Sequence, residues 1–257
     1  MARLYSNAIV REIPSSFANA LSATPPDPPI DVPLARAQHA AYIRALEAGG
    51  LAVTVLPTDE ACPDCVFVED TAVVLGGGAL ITRPGAPSRR AETQAIAAAL
   101  DAFVDVLHMT EPGTLDGGDV MHVASSVFVG RSARTNAEGI AQLCAAVNPW
   151  GLDVVPVDLP PGVLHLKCVV TRLGGNRILL AMDTIPAETF RNVDVAWVPP
   201  DEAYAANCVA IDDHVILADG FPKTERELVR LGYTVHAVPY SEVRKADGSL
   251  TCQSILF

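Results

Sequence analysis

The last ten residues of the chain, GSLTCQSILF, contain a cysteine that could act as a nucleophile. Cys252 lies between two hydroxyl side chains, Thr251 and Ser254. A free thiol has a pKa of about 8.5, so it needs a neighbouring base or positive charge to form a thiolate at neutral pH. The alternative is a small apolar side chain in a terminal strand, and these ten residues are compatible with both.

A nucleophilic cysteine commonly works with a histidine. The sequence offers six histidines: His39, His108, His122, His165, His214 and His236. His39 falls in a helical pattern and His214 in a predicted turn. His165, in VLHLKCVV, precedes a predicted pair of strands, where it could reach a site at the end of a structural unit. Any of the six could instead be a structural histidine.

Four carboxylates lie beside apolar segments, where burying an unpaired charge is costly. Glu69 and Asp70 lie in FVEDTA, and Asp116 and Asp119 flank two glycines in TLDGGDV. Asp119 suits a turn in which the carboxylate caps its own backbone. The glycines after Asp116 would let the backbone approach a ligand closely. Several carboxylates facing one pocket require a cation, and a planar guanidinium is the natural partner.

Two pairs of arginines follow predicted hairpins. Arg83 and Arg89 lie in ITRPGAPSRR, and Arg131 and Arg134 lie in GRSARTN. An arginine at such a position could bind a substrate carboxylate through two parallel hydrogen bonds. It could also be an ordinary surface charge at the start of a helix.

The elements that would position these residues repeat along the chain. Each repeat has an apolar run, a turn rich in Gly, Ser or Asp, and a second apolar run, which is the pattern of a β-hairpin. The four clear examples are TAVVLGGGALITRP from Thr71, GDVMHVASSVFVGRS from Gly118, LKCVVTRLGGNRILLAM from Leu166 and NCVAIDDHVILADG from Asn207. NAIVREIP near Asn7 starts a weaker fifth, whose partner strand could come from the C-terminal TCQSILF.

Helical patterns separate the hairpins. They are PLARAQHAAYIRALEAGG, SRRAETQAIAAALDAFV with Ser88 as its cap, RTNAEGIAQLCAAV and KTERELVRLGY. Alternating hairpins and helices predict an α/β protein. About five units favour radial closure around an axis, which leaves few exposed strand edges. An open mixed sheet built from the same elements fits the pattern equally well.

Two further segments carry alternative interpretations. SFANALSATPPDPPIDV, from Ser16 to Val32, contains four prolines and excludes a regular element, so it is either a lid over a site or a plain surface loop. CPDC, from Cys62 to Cys65, is a single CxxC. It has no second pair to complete a zinc ribbon, and it leads into the apparent strand VFVED, so it is interpreted as structural or incidental.

The composition excludes several classes of function. The 257 residues carry a net charge of −12, which argues against nucleic acid and anionic membranes as partners. Such a charge serves solubility and would also favour a cationic substrate. The sequence contains no apolar stretch near the roughly 20 residues of a membrane span and no signal-peptide pattern at its start, so a soluble cytoplasmic protein with reduced cysteines is expected.

Taken in order, these segments resemble the dimethylarginine dimethylaminohydrolases of the guanidine-modifying, or pentein, superfamily. The matching stretches are PDCVFVEDTAVV, ITRPGAPSRRAE, GTLDGGDV, GRSARTNAEG, VLHLK, YAANCV, GFPKTERELVRLGY and DGSLTCQS. The resemblance implies a five-bladed α/β propeller, the pentein fold, with pseudo-fivefold ββαβ-type repeats. It also implies a single catalytic domain over residues 1–257.

The resemblance also implies roles for individual residues. Cys252 corresponds to the nucleophile, His165 to the general acid–base and Asp116 to an acid that holds the guanidinium. The implied substrate-binding residues are Leu21, Asp64, Phe67, Glu69, Asp70, Arg89 and Arg134, with the two arginines on the substrate carboxylate and Leu21 in the lid. Ala20 stands where the family often has glycine, which leaves the geometry of the lid open.

The implied reaction converts Nω-methylated arginine to citrulline and an amine through a covalent thiouronium on the cysteine. No cofactor and no functional metal are expected, and the chain would be a monomer or a homodimer. An arginine deiminase, or a hydrolase of another guanidino compound, would use the same residues. A non-catalytic pentein that only binds a partner is a further alternative, but such proteins lack the Cys-His-acid set.

Overall fold

The computed structural model describes residues 4–257 and places the strands of this range in five three-stranded sheets. In chain order the strands are β1 (Asn7–Arg11), β2 (Ala52–Leu56), β3 (Ala72–Leu75), β4 (Gly78–Ile81), β5 (Asp105–His108), β6 (Val120–Val123), β7 (Ser126–Arg131), β8 (Asp153–Asp158), β9 (Val170–Gly174), β10 (Arg177–Ala181), β11 (Asp194–Val198), β12 (Val209–Ile211), β13 (His214–Ala218), β14 (Thr234–Val238) and β15 (Ile255–Leu256). The α-helices are α1 (Val32–Ala48), α2 (Thr93–Leu100), α3 (Ala137–Val147), α4 (Pro222–Arg230) and α5 (Ser241–Arg244).

Each sheet repeats one arrangement. A first strand pairs antiparallel with a second, and after a helix or turn a third strand pairs parallel with the second; β3, β4 and β5 with helix α2 are an example. The four hairpins predicted from the sequence are therefore confirmed. In the unit of β9, β10 and β11, the connection between β10 and β11 contains only a short 3₁₀ turn, Ala187–Thr189.

The two ends of the chain share one sheet. Strand β15 pairs antiparallel with β1, with Ile255 opposite Ile9, and β2 completes the sheet in parallel. This confirms the predicted pairing of NAIVREIP with the C-terminal segment. The strand is limited to Ile255–Leu256, and Cys252 lies before it in a 3₁₀ turn, Thr251–Gln253. Cys252 is therefore not a residue of the terminal strand.

Two of the α-helices in the described range, α1 and α3, open with a side-chain cap. The carboxylate of Asp31 accepts a hydrogen bond from the N–H of Leu34 at 3.0 Å and opens α1. The expectation that Ser88 caps the second helix is wrong. Ser88 lies inside a 3₁₀ turn, Pro87–Glu92, and α2 begins only at Thr93 without a side-chain cap. That turn directs Arg89 into the protein interior.

The apolar core is divided among the units. Its largest cluster lies around β9 and β10, which are almost fully buried, and smaller clusters lie beneath α1, α2 and α3. The segment VFVED is not the strand that was expected. Val68–Thr71 forms a 3₁₀ turn, and β3 starts only after it. In the described range, residues 4–257, no helix has both the length and the apolar character needed to cross a bilayer.

Candidate active site

A short 3₁₀ turn precedes the first strand of every sheet. The five turns are Val68–Thr71, Gly117–Asp119, Leu166–Cys168, Pro200–Ala206 and Thr251–Gln253. Most of the chemically interesting residues lie in these turns or next to them, including Asp70, Asp116, His165 and Cys252. The repeat therefore brings residues that are up to 182 positions apart in sequence to equivalent places around one centre, as the contact between Thr251 and Glu69 shows.

A pocket of about 230 Å³ opens at this centre. Its lining residues are Leu21, Ser22, Ala23, Asp64, Phe67, Asp70, Arg89, Arg134, Leu164, His165, Ala246, Asp247, Gly248 and Cys252. Eight of the ten residues singled out from the sequence belong to this set. Of the other two, Asp116 is fully buried behind His165, and Glu69 lines a second cavity that is described below.

His165 is held between two carboxylates. Its Nε2 lies 3.0 Å from Oδ2 of Asp116, and its Nδ1 lies 3.9 Å from Oδ1 of Asp70. Burial alone would lower the pKa of His165, but the charge of Asp70 and the hydrogen bond to Asp116 outweigh it and raise the pKa to about 9. The imidazole is therefore protonated at neutral pH and can donate a proton.

The glycines of LDGGD make this arrangement possible. A Cβ atom on Gly118 would lie 2.7 Å from Nδ1 of His165, and one on Gly117 would lie 2.0 Å from the carbonyl oxygen of Glu69. The sequence suggested that these glycines allow close approach to a ligand. In the structure they allow the neighbouring turns of the protein to approach each other.

Asp70 is fixed as an anion. Its Oδ2 accepts a hydrogen bond from Nη1 of Arg89 at 2.5 Å, and its Oδ1 accepts one from the N–H of Gly118 at 3.0 Å. Burial would raise the pKa of Asp70, but the positive charges of His165 and Arg89 outweigh it and lower the pKa to about 2. A cation bound beside Asp70 would therefore meet a charged carboxylate.

The two predicted carboxylate-binding arginines have different surroundings. Arg89 is buried, and its guanidinium donates to Glu92 through Nε and Nη2, to Asp70 and to the carbonyl oxygen of Phe67. The side chain of Arg134 is 23% exposed at the pocket, and its Nη1 lies 3.8 Å from Oδ2 of Asp116. Arg134 therefore has more freedom than Arg89 to bind an incoming anion.

Cys252 is a neutral thiol in the ligand-free protein. Burial and the negative charges of Glu69 and Asp70 raise its pKa well above the usual value. The thiolate is favoured only when positive charge is added next to it.

Glu69 faces away from this pocket. It accepts a hydrogen bond from the hydroxyl of Thr251 at 2.8 Å and pairs with Nζ of Lys167 at 2.6 Å. Both Glu69 and Lys167 line a second cavity, of about 840 Å³, bordered by residues of β3, β6, β9, β12 and β15. Glu69 therefore fixes the residue next to Cys252 and lies outside the lining of the smaller pocket.

The segment expected to form a lid covers one side of the pocket. The N–H of Leu21 donates to Oδ1 of Asp64 at 3.0 Å. Burial raises the pKa of Asp64. Ala20 has φ −57°, which is an ordinary backbone angle, so this position does not require the glycine that the family often has there.

Sequence reasoning missed Asn207, which directly follows the fourth of the five 3₁₀ turns, Pro200–Ala206. Its side chain accepts from the N–H of Thr251 at 3.0 Å and donates to the hydroxyl of Thr251 and to the carbonyl oxygen of Lys167. Asn207 thus fixes the residue before Cys252. The signal was its position in YAANCV, immediately before a hairpin, as in the other units.

Other residues of interest have structural surroundings. His39 is buried in α1 with Nδ1 2.9 Å from Oε1 of Gln253, as expected for a structural histidine. All six cysteines are free, and burial raises the pKa of Cys62 and Cys65, in keeping with an unreactive CxxC.

The charges at the centre of the site do not favour binding of a metal ion. Ligand atoms of Asp70, Asp116 and His165 lie within 4.8 Å of one another. The positive charges of Arg89 and protonated His165 already balance the two carboxylates, so a cation there would have to displace a proton.

Sequence and structure comparisons agree with this geometry. The family model for eukaryotic N,N dimethylarginine dimethylhydrolase matches residues 29–196. The N(G),N(G)-dimethylarginine dimethylaminohydrolase of Pseudomonas aeruginosa is 40% identical over 99% of this chain and 100% of its own length. The protein of the same name from Streptomyces coelicolor is 38% identical over 96% of this chain and 95% of its own length.

Solved structures give the same result. A cysteine-to-serine mutant of the P. aeruginosa protein in complex with citrulline has a TM-score of 0.93 and 39% identity, covering 98% of this chain and 99% of that one. The N-terminal domain of the cyanobacterial arginine dihydrolase ArgZ has a TM-score of 0.88 over 97% of this chain and 96% of that one. At 17% identity, ArgZ supports the fold alone.

Five repeated units around a Cys-His-carboxylate centre define an α/β propeller of the pentein superfamily. The predicted fold class is therefore confirmed. The match over the full chain is more specific: this chain belongs to the dimethylarginine dimethylaminohydrolase family.

Proposed function

We propose that this protein hydrolyses Nω-methylated L-arginine to L-citrulline and releases methylamine or dimethylamine. One observation carries the proposal: the Cys252 thiol opens onto a pocket with protonated His165 and the anionic Asp70, and Asp116 lies directly behind the histidine. Family membership supplies the substrate class, and the anionic carboxylate of Asp70 suits a guanidinium.

Substrate binding activates the nucleophile. A guanidinium beside Asp70 and Cys252 offsets the negative charges that raise the pKa of the thiol. The pKa of Cys252 falls in the complex, and the thiolate forms only when a cation is present to attack. Asp70 fixes the plane of the guanidinium through charge-assisted hydrogen bonds.

The chemistry then proceeds in two displacements. The Sγ–C bond forms at the central guanidinium carbon, and His165 gives its proton to the methylated nitrogen as the C–N bond breaks and the amine leaves. The neutral imidazole next takes a proton from water, and the oxygen adds to the thiouronium carbon. The Sγ–C bond then breaks as the remaining hydroxyl proton passes to the leaving sulfur, which releases citrulline and restores the neutral thiol. Asp116 and Asp70 stabilise the imidazolium before the amine leaves and again after the histidine has taken a proton from water.

The α-carboxylate and α-ammonium groups of the substrate bind at the opposite side of the pocket. Arg134 is the cation available to the α-carboxylate. Asp64, beside the lid residue Leu21, is the acid available to the α-ammonium group, and Phe67 forms an apolar wall. Arg89 acts mainly through Asp70, which it holds in place.

The test measures citrulline and the released amine with asymmetric dimethylarginine, monomethylarginine and arginine as substrates. We expect the methylated compounds to have the higher kcat/KM, with one amine released per citrulline. Faster release of ammonia from arginine would identify an arginine deiminase instead.

A pair of cysteine variants tests the nucleophile in the same assay. Cys252→Ser should lose turnover, because an alcohol attacks a guanidinium poorly. Cys144→Ser is the matched control, since Cys144 is an exposed thiol in α3 away from the pocket. Substantial turnover by the Cys252 variant would show that this cysteine is not the nucleophile.

The organisation of the chain supports a single catalytic domain over residues 1–257. Strands β1 and β15 come from opposite ends of the chain and complete one sheet, so no cut separates an independent part.

We also propose that the protein works in the cytoplasm, where its six free cysteines would stay reduced, as a monomer or homodimer.

A further inference from the structure

The lid segment, residues 20–31, is tied to the rest of the protein at few points. At its start, the N–H groups of Leu21 and Ala23 donate to the carboxylates of Asp64 and Asp247, at 3.0 and 2.5 Å. At its end, the N–H of Asp31 donates to Glu242 at 2.8 Å. Two acidic side chains from different units therefore hold the part of the lid that lines the pocket.

Asp247 has an unusual backbone for a residue with a side chain. It lies just after helix α5 with φ +54°, in the left-handed region that favours glycine. Its N–H donates to the carbonyl oxygen of Arg244, and the next N–H, of Gly248, donates to that of Val243. These two bonds form a Schellman motif, in which glycine is the usual residue at this place. An aspartate here keeps a side chain at a conformational cost, which points to a use for the carboxylate.

The base of this carboxylate is rigid. A Cβ atom on Gly248 would lie 2.4 Å from the ring of Phe67, so the turn packs directly on the pocket wall. The carbonyl oxygen of Gly248 accepts a hydrogen bond from the hydroxyl of Tyr204 at 2.6 Å. The chain then runs within a few residues to Cys252. A carboxylate that reaches Ala23 from this turn therefore connects the lid to the segment that carries the nucleophile.

We propose that Asp247 is a positioning residue that latches the lid segment over the pocket through the N–H of Ala23. With the latch made, Leu21 and Ala23 stay at the pocket, and bound substrate is shielded from water. Without it, the start of the lid keeps the packing of Ala20 and the hydrogen bond from Leu21 to Asp64, a carboxylate that also has to serve the substrate. The kinetic consequence rests on the proposed hydrolysis of methylarginine, whereas the effect on the lid does not.

Three variants separate the latch from other effects. Asp247→Gly removes the carboxylate and relieves the left-handed backbone, so its Tm should equal or exceed that of the parent. Asp247→Asn keeps an oxygen acceptor and tolerates the same backbone. Asp183→Gly is the matched control, because Asp183 is another exposed aspartate with a positive φ, +60°, outside the pocket lining.

Hydrogen exchange of the lid amides and steady-state kinetics are then measured on all four proteins. In Asp247→Gly we expect residues 20–24 to exchange about ten times faster and the KM for methylarginine to rise by a similar factor, which is the weight of one charge-assisted hydrogen bond. Asp247→Asn should lie between this variant and the parent, and Asp183→Gly should match the parent in both measurements.

The outcomes are distinct. Unchanged exchange of residues 20–24 in Asp247→Gly overturns the latch, even if the KM rises, because Asp247 would then act on substrate directly. The latch is also overturned if residues 20–24 exchange faster in Asp183→Gly by the same factor as in Asp247→Gly. If the parent fails to hydrolyse methylarginine, the proposed function is wrong, but the exchange measurement still decides whether the latch exists.

Discussion

The contacts of Arg89 and Arg134 predict that two arginines with the same expected role behave differently on mutation. The sequence places both on the substrate carboxylate. In the structure Arg89 is buried against Asp70 and Glu92, whereas Arg134 faces the pocket with only a 3.8 Å contact to Asp116. The perturbation is therefore a pair of alanine variants, each assayed with monomethylarginine and with a methylated agmatine, which lacks the carboxylate.

For Arg134→Ala the structure predicts a loss confined to carboxylate binding. Asp116 keeps the hydrogen bonds that it accepts from the N–H of Gly85 and from Nε2 of His165, so the catalytic centre stays intact. Losing a charge-assisted hydrogen bond costs about 1.5–3 kcal/mol, which corresponds to a rise in KM of about 10- to 150-fold for monomethylarginine. The agmatine derivative has no carboxylate to lose, so its kinetics should be almost unchanged.

For Arg89→Ala the predicted loss is structural and catalytic. Removing the guanidinium leaves the buried carboxylates of Asp70 and Glu92 without their partner, and breaking such a buried pair costs about 3–5 kcal/mol. Burial already raises the pKa of Glu92 to about 7, so this side chain would take up a proton. Both substrates should lose kcat, and the free energy of unfolding should fall.

Steady-state kinetics and denaturant unfolding of the two variants decide between these roles. Arg131→Ala is the control, because Arg131 is an exposed arginine near the same hairpin end and pairs only with Asp158 at the surface. Equal losses for both substrates in Arg134→Ala would refute the assignment of Arg134 to the carboxylate. A stable Arg89→Ala variant with only a raised KM for monomethylarginine would refute the structural role of Arg89.

Three more predictions follow from the titration and contacts of the site. Because the pKa of His165 in the ligand-free protein is about 9, kcat/KM should fall as the pH rises through 9, and a profile of kcat/KM that stays flat to pH 10 would contradict its role as the acid. The raised pKa of His165 also stabilises the fold, and this stabilisation is fully present below pH 6.5, the pKa of the unfolded state. It is lost as the pH rises through 9, and it amounts to at most about 3.4 kcal/mol at 1.36 kcal/mol per pKa unit. Denaturant unfolding is therefore measured at pH 6 and pH 9.5. Between these values the free energy of unfolding should fall more for the parent than for His165→Gln, and an equal fall would contradict a charged His165. Asn207→Ala should lower kcat at least about tenfold with little change in KM, since it removes three hydrogen bonds around the residue before Cys252, and an unchanged kcat would make Asn207 dispensable.

The fold could be predicted from the sequence because hairpin patterns are local. Each unit repeats two apolar runs around a turn that needs particular residues, as at Gly76 and Gly77, both with positive φ between β3 and β4. Pattern alone did not choose between an open sheet and a closed ring. Ring closure depends on contacts between distant units and on the pairing of β1 with β15, and only the resemblance to a known family pointed to it.

The site was predicted less completely, because polar contacts depend on distances that residue types do not specify. Asp70 and Asp116 were identified as acids for a cation, and both lie against His165. The orientation of Glu69 was not predictable, since a 3₁₀ turn replaces the expected strand and sends adjacent side chains to different cavities. Asn207 and Asp247 were missed, since each acts through a backbone group whose place is set only in the folded chain.

Cys252, the candidate nucleophile, lies near the end of the chain, in the segment that completes the ring of five units. Cys252 lies in the turn before β15, and that turn is held by side chains from two other units, Glu69 and Asn207 on Thr251. Helix α1 of the same unit adds His39, which contacts Gln253. The same turn leads directly into β15, which pairs with β1 in the sheet shared by the two ends of the chain. The pocket with Cys252, His165 and Asp70 is therefore built from segments of separate units, and the charges that raise the pKa of the thiol are assembled where those segments meet.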